Sequence, residues 1–376
     1  MALLRKTAII SNIERFLLMV FIMFCGFVQL LEPQLLFPEN SANAQSKQSQ
    51  KIVFWNVENA FWPEDDDTKQ DDDFTPTGMR HWSKSRLKQK LTQAEMVLLG
   101  IGQGLPPLAV GLAEVEGDSV INYWLHKTSL YRLNYRAVLS DSADRRGIQT
   151  ALLYQPADFR LISHESHSIT LPDGNHSTRQ LLHVAGRLVS SDTLDLIVCH
   201  LPSQYGGARQ SESLREAAHV AVMHLADSIS AIRQTPYVVI MGDMNEAPSK
   251  RHDWWRKYST LRWSNLMLPL QHSLKRKPAQ YGSHKYQGKW SFLDQFIVSE
   301  NFLLTDKTSP DDYTSNVQTV VRRLLLNNPR SFSMPFMLTD DETHLGKRPK
   351  RSFFGSQYEG GLSDHLPIVV DLDVYF

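Results

Sequence analysis

Asp364 and His365 stand side by side in Ser363-Asp364-His365-Leu366-Pro367, directly before the apolar run Ile368-Val369-Val370. A carboxylate and an imidazole delivered together at the mouth of a strand can bind a cation and move a proton. An isolated Asp-His pair is common in solvated loops; this one is the last of a series. Asn56-Val57-Glu58-Asn59, Glu114, His200-Leu201-Pro202-Ser203, Gly242-Asp243-Met244-Asn245 and Asp294 precede it, each at or near the end of an apolar run. Polar groups repeated at strand ends describe a hydrolytic metal site assembled from across one fold.

Each residue carries a chemical reading and a plainer one. Glu114 follows Val110-Gly111-Leu112-Ala113, and a carboxylate ending a buried strand is costly unless paired or metal-bound. A hard oxygen there suits Mg²⁺, with Mn²⁺ or Ca²⁺ as alternatives; the plain reading is a carboxylate facing water, like the nearby Glu116. In Gly242-Asp243-Met244-Asn245 the glycine lets the backbone turn. Extended geometry would then point Asp243 and Asn245 the same way, to orient a water; the plain reading is a capped turn. Pro202 biases Leu201 toward extended geometry, so His200 either donates to a phosphoryl oxygen or lies on the surface. Asp294, within an apolar strand, needs a partner, and His365 is the obvious one. The Asp would fix the imidazole tautomer and raise its basicity, leaving Asp364 free for a metal.

The apolar pattern supplies strands to carry these groups. Residues 51–55, 108–112, 148–154, 160–169, 181–189, 194–199, 237–241, 291–298 and 366–372 read as strands. Leu87, Leu91, Ala94, Val97 and Leu98 recur at helical spacing, with Arg86, Lys88 and Lys90 assigned to the other face, and 211–232 reads as a long helix. This predicts an α+β fold, two packed sheets with helices outside, a four-layer α/β/β/α sandwich. The acidic stretch 65–73 reads as irregular. Segments 250–285 and 303–361 read as lid-like insertions or surface loops, with basic clusters at Lys275-Arg276-Lys277 and 347–351.

The candidate residues run from Asn56 to His365 of 376, so one domain must hold nearly all of them. Arg5 and Lys6, an apolar stretch at 16–31 broken by Gln29, and Ala42-Asn43-Ala44 read as a signal peptide at 1–44. A linker at 45–50 and a domain at 51–376 follow, giving a periplasmic or extracellular protein; a retained membrane anchor is the alternative. Removing 1–44 takes Arg5, Lys6 and Arg15 against Glu14, Glu32 and Glu39, so the mature chain stays neutral. Bulk charge therefore gives no push toward nucleic acid. Cys25 leaves with the leader, and Cys199, alone in an apolar strand, reads as a buried small hydrophobe.

Taken in order, these motifs resemble the endonuclease/exonuclease/phosphatase superfamily, whose fold is the deoxyribonuclease I-like sandwich. The resemblance runs from Phe54 to Pro367 and rests on Asn56, Glu114, the His200-Leu201-Pro202 position, Gly242-Asp243-Met244-Asn245, Asp294 and Ser363-Asp364-His365-Leu366-Pro367. It implies metal-assisted, in-line attack of water on a phosphoester. Glu114, Asn56 and Asp364 would hold Mg²⁺, and His365, oriented by Asp294, would handle the nucleophile's proton. Asp243 and Asn245 would orient the water, and His200 would stabilise transition-state charge. Asn56-Val57-Glu58-Asn59-Ala60-Phe61, Asp71-Asp72-Asp73-Phe74-Thr75-Pro76 and Gly282-Ser283-His284-Lys285-Tyr286 are similar to landmarks of an exported bacterial subgroup. Arg146 and Ser203 are candidate substrate contacts; Arg146 has a solvated turn as its plain reading, and Glu58 is either a further ligand or a support for Asn56. The function implied is a secreted Mg²⁺-dependent phosphoesterase, a nuclease first, with nucleic acid or another phosphodiester as partner. A lipid or sugar-phosphate phosphodiesterase is the alternative, and a non-catalytic binding module is disfavoured. A lipid enzyme would use an exposed apolar loop such as Trp254-Trp255 or Phe353-Phe354. No protein partner is implied, and the oligomeric state stays open.

Overall fold

Apolar residues run almost unbroken along the central strands because both faces of both sheets are covered. The computed structural model describes residues 46–376 except 142–143, 172–173, 175–178, 204–210, 275, 277–279 and 304–322. The expected leader with Cys25, the linker residue Gln45, and Lys275 and Lys277 lie outside the described residues. Strands β1 (Lys47–Ala60), β2 (Ala109–Glu116), β3 (Arg136–Leu139) and β4 (Ile148–Tyr154) begin the first sheet. The second comprises β5 (Phe159–His167), β6 (Leu181–Leu188), β7 (Thr193–His200), β8 (Tyr237–Asp243), β9 (Trp263–Asn265) and β10 (Asp294–Ser299). β11 (Leu324–Ser331) and β12 (Ile368–Tyr375) return to complete the first. The orders are β11-β12-β1-β2-β4-β3 and β5-β6-β7-β8-β10-β9.

Alternation along the strands builds the layers. On β1, Ile52 and Phe54 face the second sheet, whereas Val53 and Trp55 face α1 (Lys84–Ile101) and α2 (Gly117–Lys127). On β8, Val239 and Met241 point between the sheets, and Val238 and Ile240 point out toward α3 (Glu212–Ala231). Three apolar clusters thus fill the three gaps of a four-layer α/β/β/α sandwich.

Several expectations change. β1 begins at Lys47, so 47–50 are strand, not linker; they pair with Leu372–Tyr375 while their side chains stay partly in solvent, which explains their polarity. The insertion 303–361 contributes β11, whose polar Asn327-Asn328-Pro329-Arg330 run hides a strand that breaks register between Asn327 and Arg330. α2 went unread, although Val120, Ile121, Trp124 and Leu125 carry its helical stripe. Lys90, assigned to the solvent face of α1, is buried, because it lies one turn from Leu87 on the inward stripe. Trp254 and Trp255 are buried against the outer face of the second sheet and form no exposed loop. Gly242 lies inside β8 rather than at a turn. A Cβ there would stand 2.3 Å from the Cys199 carbonyl oxygen, so the missing side chain serves close strand approach.

Candidate active site

Strand parity places the polar groups. His200 pairs in register with Asp243, and Asp243 with Asp294, across β7, β8 and β10. Each continues the inward series of its strand, Leu196 and Val198, Val239 and Met241, Phe296 and Val298. Asn56 extends Ile52 and Phe54 on β1 in the same way. All four therefore enter the space between the sheets at one end of the apolar core.

Glu114 breaks this rule and still arrives. Plain alternation would send it outward with Val110 and Leu112, but a register shift between Ala113 and Val115 makes it the extra residue of a bulge. Its backbone is left-handed at φ 63°, a conformation costly outside glycine. The carboxylate accepts from Asn56 Nδ2 at 3.2 Å and from the Asn59 backbone N–H at 2.9 Å. Glu58, Asn59 and Asn245 are left-handed too, so backbone strain gathers at this site.

The hydrogen bonds assign places. Asn56 Nδ2 also donates to Asp243 Oδ2 at 3.1 Å, and its Oδ1 accepts from the Glu58 N–H at 2.9 Å. Asn56 thus orients Glu114 and Asp243, and its oxygen, expected on a metal, holds the Glu58 N–H and keeps one lone pair. Asn245 is not in extended geometry. Its N–H donates to Asp243 Oδ1 at 2.9 Å and its Nδ2 to the Leu201 carbonyl at 2.8 Å, fixing the turn that follows β8. His365 Nδ1 lies 2.7 Å from Asp294 Oδ2, and His365 Nε2 lies 3.8 Å from Asp243 Oδ2. Ser363 Oγ donates to the Asn56 carbonyl and accepts from the His365 N–H, tying the first and last motifs together. His200 is buried, its Nε2 3.7 Å from Asp243 and 3.9 Å from Glu114, so it is not a surface histidine.

Charge is distributed unevenly. Burial alone would lower His365, but Asp294 and Asp243 outweigh it and hold the imidazole well above its usual value. Burial pushes Asp243 up, against the nearby His365 charge. His200 is driven well down by burial, then by Arg179, His365 and Arg146. The two imidazoles are thus pushed in opposite directions, His365 toward its charged form and His200 toward its neutral one. Glu116, expected to face water, is buried, accepts from the Trp62 N–H at 2.7 Å and is pushed up to about 6 by burial.

Asp364 is not free, because Arg351 reaches it from a distant part of the chain. The Arg351 Nη2 donates to Asp364 Oδ2 and its Nε to Glu58 Oε1 at 3.3 Å. Glu58 also accepts from the Ser352 N–H at 2.9 Å, and burial followed by Asp364 raises it to about 7. Lys90 is lowered to about 8 by burial, against the opposing charges of Glu58, Asp364 and Glu114. This hard-oxygen set fits a divalent cation in kind. Among the described residues, two groups bring ligand atoms within 4.8 Å of one another: Asp243, Asp294 and His365, and His284, Asp364 and His365. Asp294 Oδ1 and His284 Nδ1 are buried without a hydrogen-bond partner among the described residues.

Sequence reasoning missed three contributors. Arg179 donates to the Leu201 carbonyl and places its charge on His200. The His284 ring lies tilted at 42° to that of His365, centroids 4.7 Å apart, and is lowered to about 4, first by burial and then by His365. Arg351 is the third. Arg146 pairs with Asp144 at 3.3 Å and is 40% exposed at its side chain, yet its charge still reaches His200. Ser203 is half-buried three residues beyond His200.

Solved structures share this fold. A structure from Bacteroides thetaiotaomicron, titled as an endonuclease/exonuclease/phosphatase family protein, superposes with a TM-score of 0.52 at 12% identity, covering 88% of this chain and 97% of that one. The human Nocturnin catalytic domain with bound sulfate superposes with a TM-score of 0.50 at 14% identity, covering 89% and 97%. Among curated proteins none matches by sequence. The family model described as Endonuclease/Exonuclease/phosphatase spans residues 51–374, from the strand that delivers Asn56 to the strand that follows His365, and the chain belongs to that family.

Proposed function

We propose that this protein is a divalent-cation-dependent phosphoester hydrolase in which water attacks phosphorus. One observation carries the reading: the His365 imidazole is pinned to buried Asp294 at 2.7 Å while its other nitrogen faces Asp243 at 3.8 Å. Glu58, Glu114 and Asp364 would hold Mg²⁺, or Mn²⁺ or Ca²⁺ in its place. When bound, the ion neutralises charge on the phosphoryl oxygens and acidifies water. Asp243, whose basicity burial raises, takes the water's proton, and Asn245 holds that carboxylate in place. His365, which Asp294 and Asp243 push toward its charged form, would donate to a phosphoryl oxygen, in place of handling the nucleophile's proton. His200 enters neutral and supplies a second donor to the developing charge. An inert binding module would not need a pinned imidazole and a carboxylate of raised basicity facing each other.

On substrate, the basic segment 347–351 gives less support to a duplex nuclease than its sequence implies. Lys347 pairs with Asp340 at 2.8 Å, Arg348 with Glu359 at 2.6 Å, and Arg351 with Glu58 and Asp364. A cavity of about 370 Å³ opens beside Asp364, walled by His284, Tyr286, Arg348 and Phe354. That volume suits a single nucleotide or sugar phosphate, which favours a small or single-stranded phosphoester. Of the aromatic pairs offered for a lipid contact, Trp254, Trp255 and Phe353 are buried and Phe354 is 53% exposed. Export, with the mature chain starting near Gln45, belongs to the proposal on the strength of residues 1–44; among the described residues no helix is long and apolar enough to cross a membrane. The test is residues 45–376 with Mg²⁺ against DNA, RNA, nucleotides, sugar phosphates, inositol phosphates and sphingomyelin. Hydrolysis of none of them would sink the proposal.

A further inference from the structure

Arg351 carries a positive charge to the place where the proposed function needs a metal. Its fork spans Glu58 and Asp364, and the next backbone N–H, that of Ser352, holds the other Glu58 oxygen at 2.9 Å. Lys90 sits deeper, its Nζ donating to Ser352 Oγ at 2.7 Å and to the Leu362 carbonyl. Lys90 is fixed, because it is buried within the packed face of α1. Arg351 can leave. Its side chain is 34% exposed, and it lines the cavity beside Asp364 together with His284. A divalent ion and a guanidinium compete for the same carboxylate oxygens.

We propose that the Arg351 guanidinium occupies the cation's place between Glu58 and Asp364 in the ion-free protein and is exchanged for the divalent ion, which frees Arg351 to turn into the cavity beside Asp364. The inference rests on reading Glu58, Glu114 and Asp364 as the cation-holding set. An arriving ion must break two charge-assisted contacts, so apparent affinity is reduced by the population of the paired state. Without the fork, two neighbouring carboxylates repel one another, and a cation relieves that repulsion. A residue in this position tunes how much free cation the protein requires.

Mn²⁺ binding followed by the electron paramagnetic resonance of the free ion, with Mg²⁺ as competitor, reads the effect without turnover. Arg351→Gln is expected to bind Mn²⁺ roughly ten- to a hundredfold more tightly than the unmodified protein, the scale of a lost charge-assisted hydrogen bond. Arg351→Lys, which keeps the charge and loses the fork, should fall between. Arg262→Gln, an exposed arginine paired with Glu300, should match the unmodified protein. The unmodified protein supplies a readout that needs no variant to fold: the Arg351 Nε–H resonance should move as Mg²⁺ is added, with the midpoint of ion binding. Equal or weaker Mn²⁺ binding by folded Arg351→Gln overturns the exchange, as does an Arg351 resonance unmoved by saturating Mg²⁺. Failure of every form to bind Mn²⁺ overturns the exchange together with the cation-site reading beneath it.

Discussion

Asp294→Asn separates a catalytic arrangement from a merely stabilising one. Asp294 is fully buried, with one oxygen on His365 and the other without a partner among the described residues. Asparagine keeps the shape and removes the charge. A hydrogen bond to a charged group contributes roughly 1.5–3 kcal/mol, so the His365 value should fall. The new amide N–H₂ also lacks an acceptor where Asp294 Oδ1 lies, adding about 1–3 kcal/mol of destabilisation. The rate should fall on the order of 10²–10⁴, the scale of a misoriented acid–base residue. The pH sign follows from the direction of the shift. Folding raises His365 above its unfolded value of about 6.5. The pair's stabilisation is therefore complete below about pH 6.5 and lost as pH rises through the folded value. Melting temperatures of the two proteins should differ most at acid pH and converge toward alkaline pH, while the alkaline limb of kcat moves to lower pH in the variant. A rate within about twofold of the unmodified protein, with that limb unmoved, would refute the catalytic reading even if the variant melts early.

Three further outcomes follow. EDTA should abolish hydrolysis and Mg²⁺ restore it, and Glu114→Gln should need far more Mg²⁺ for half-maximal rate; full activity in EDTA would end the metal reading. Gly242→Ala should destabilise the fold by about 1–3 kcal/mol and slow turnover in the folded fraction, because its Cβ meets the Cys199 backbone beside Asp243; an unchanged melt would show that β7 and β8 adjust freely. Fractionation and N-terminal sequencing should find a chain starting near Gln45 outside the cytoplasm, whereas Met1 retained in washed membranes would make residues 16–31 an anchor.

The sandwich and half of the site were legible because strand parity is local. Asn56, His200, Asp243 and Asp294 each continue a two-residue alternation visible in the sequence, and two apolar faces demand covering layers. Glu114 was legible only as a carboxylate after a strand. Its inward turn depends on a left-handed bulge without glycine, which tertiary contacts with Asn56 and Asn59 sustain. Lys90 was recoverable from helical geometry, since it shares the stripe of Leu87 and Ala94, but a lysine there contradicts the expectation that charges face water.

Arg351 marks the limit of sequence reading, and the reason is physical. A basic run in a long polar segment has a solvated surface as its ordinary fate, and the partners that overrule it, Glu58 and Asp364, lie 293 and 13 residues away. The same segment supplies Ser352, which holds Glu58 through its N–H and meets Lys90 through its hydroxyl. Residues taken for an insertion therefore contribute to the charge balance of the first motif in the chain, Asn56-Val57-Glu58. Arg351 holds Glu58 and Asp364 directly and the Lys90 charge lies behind them, and burial makes leaving either carboxylate without a cation expensive. The segment is therefore better understood as part of the site than as decoration on it.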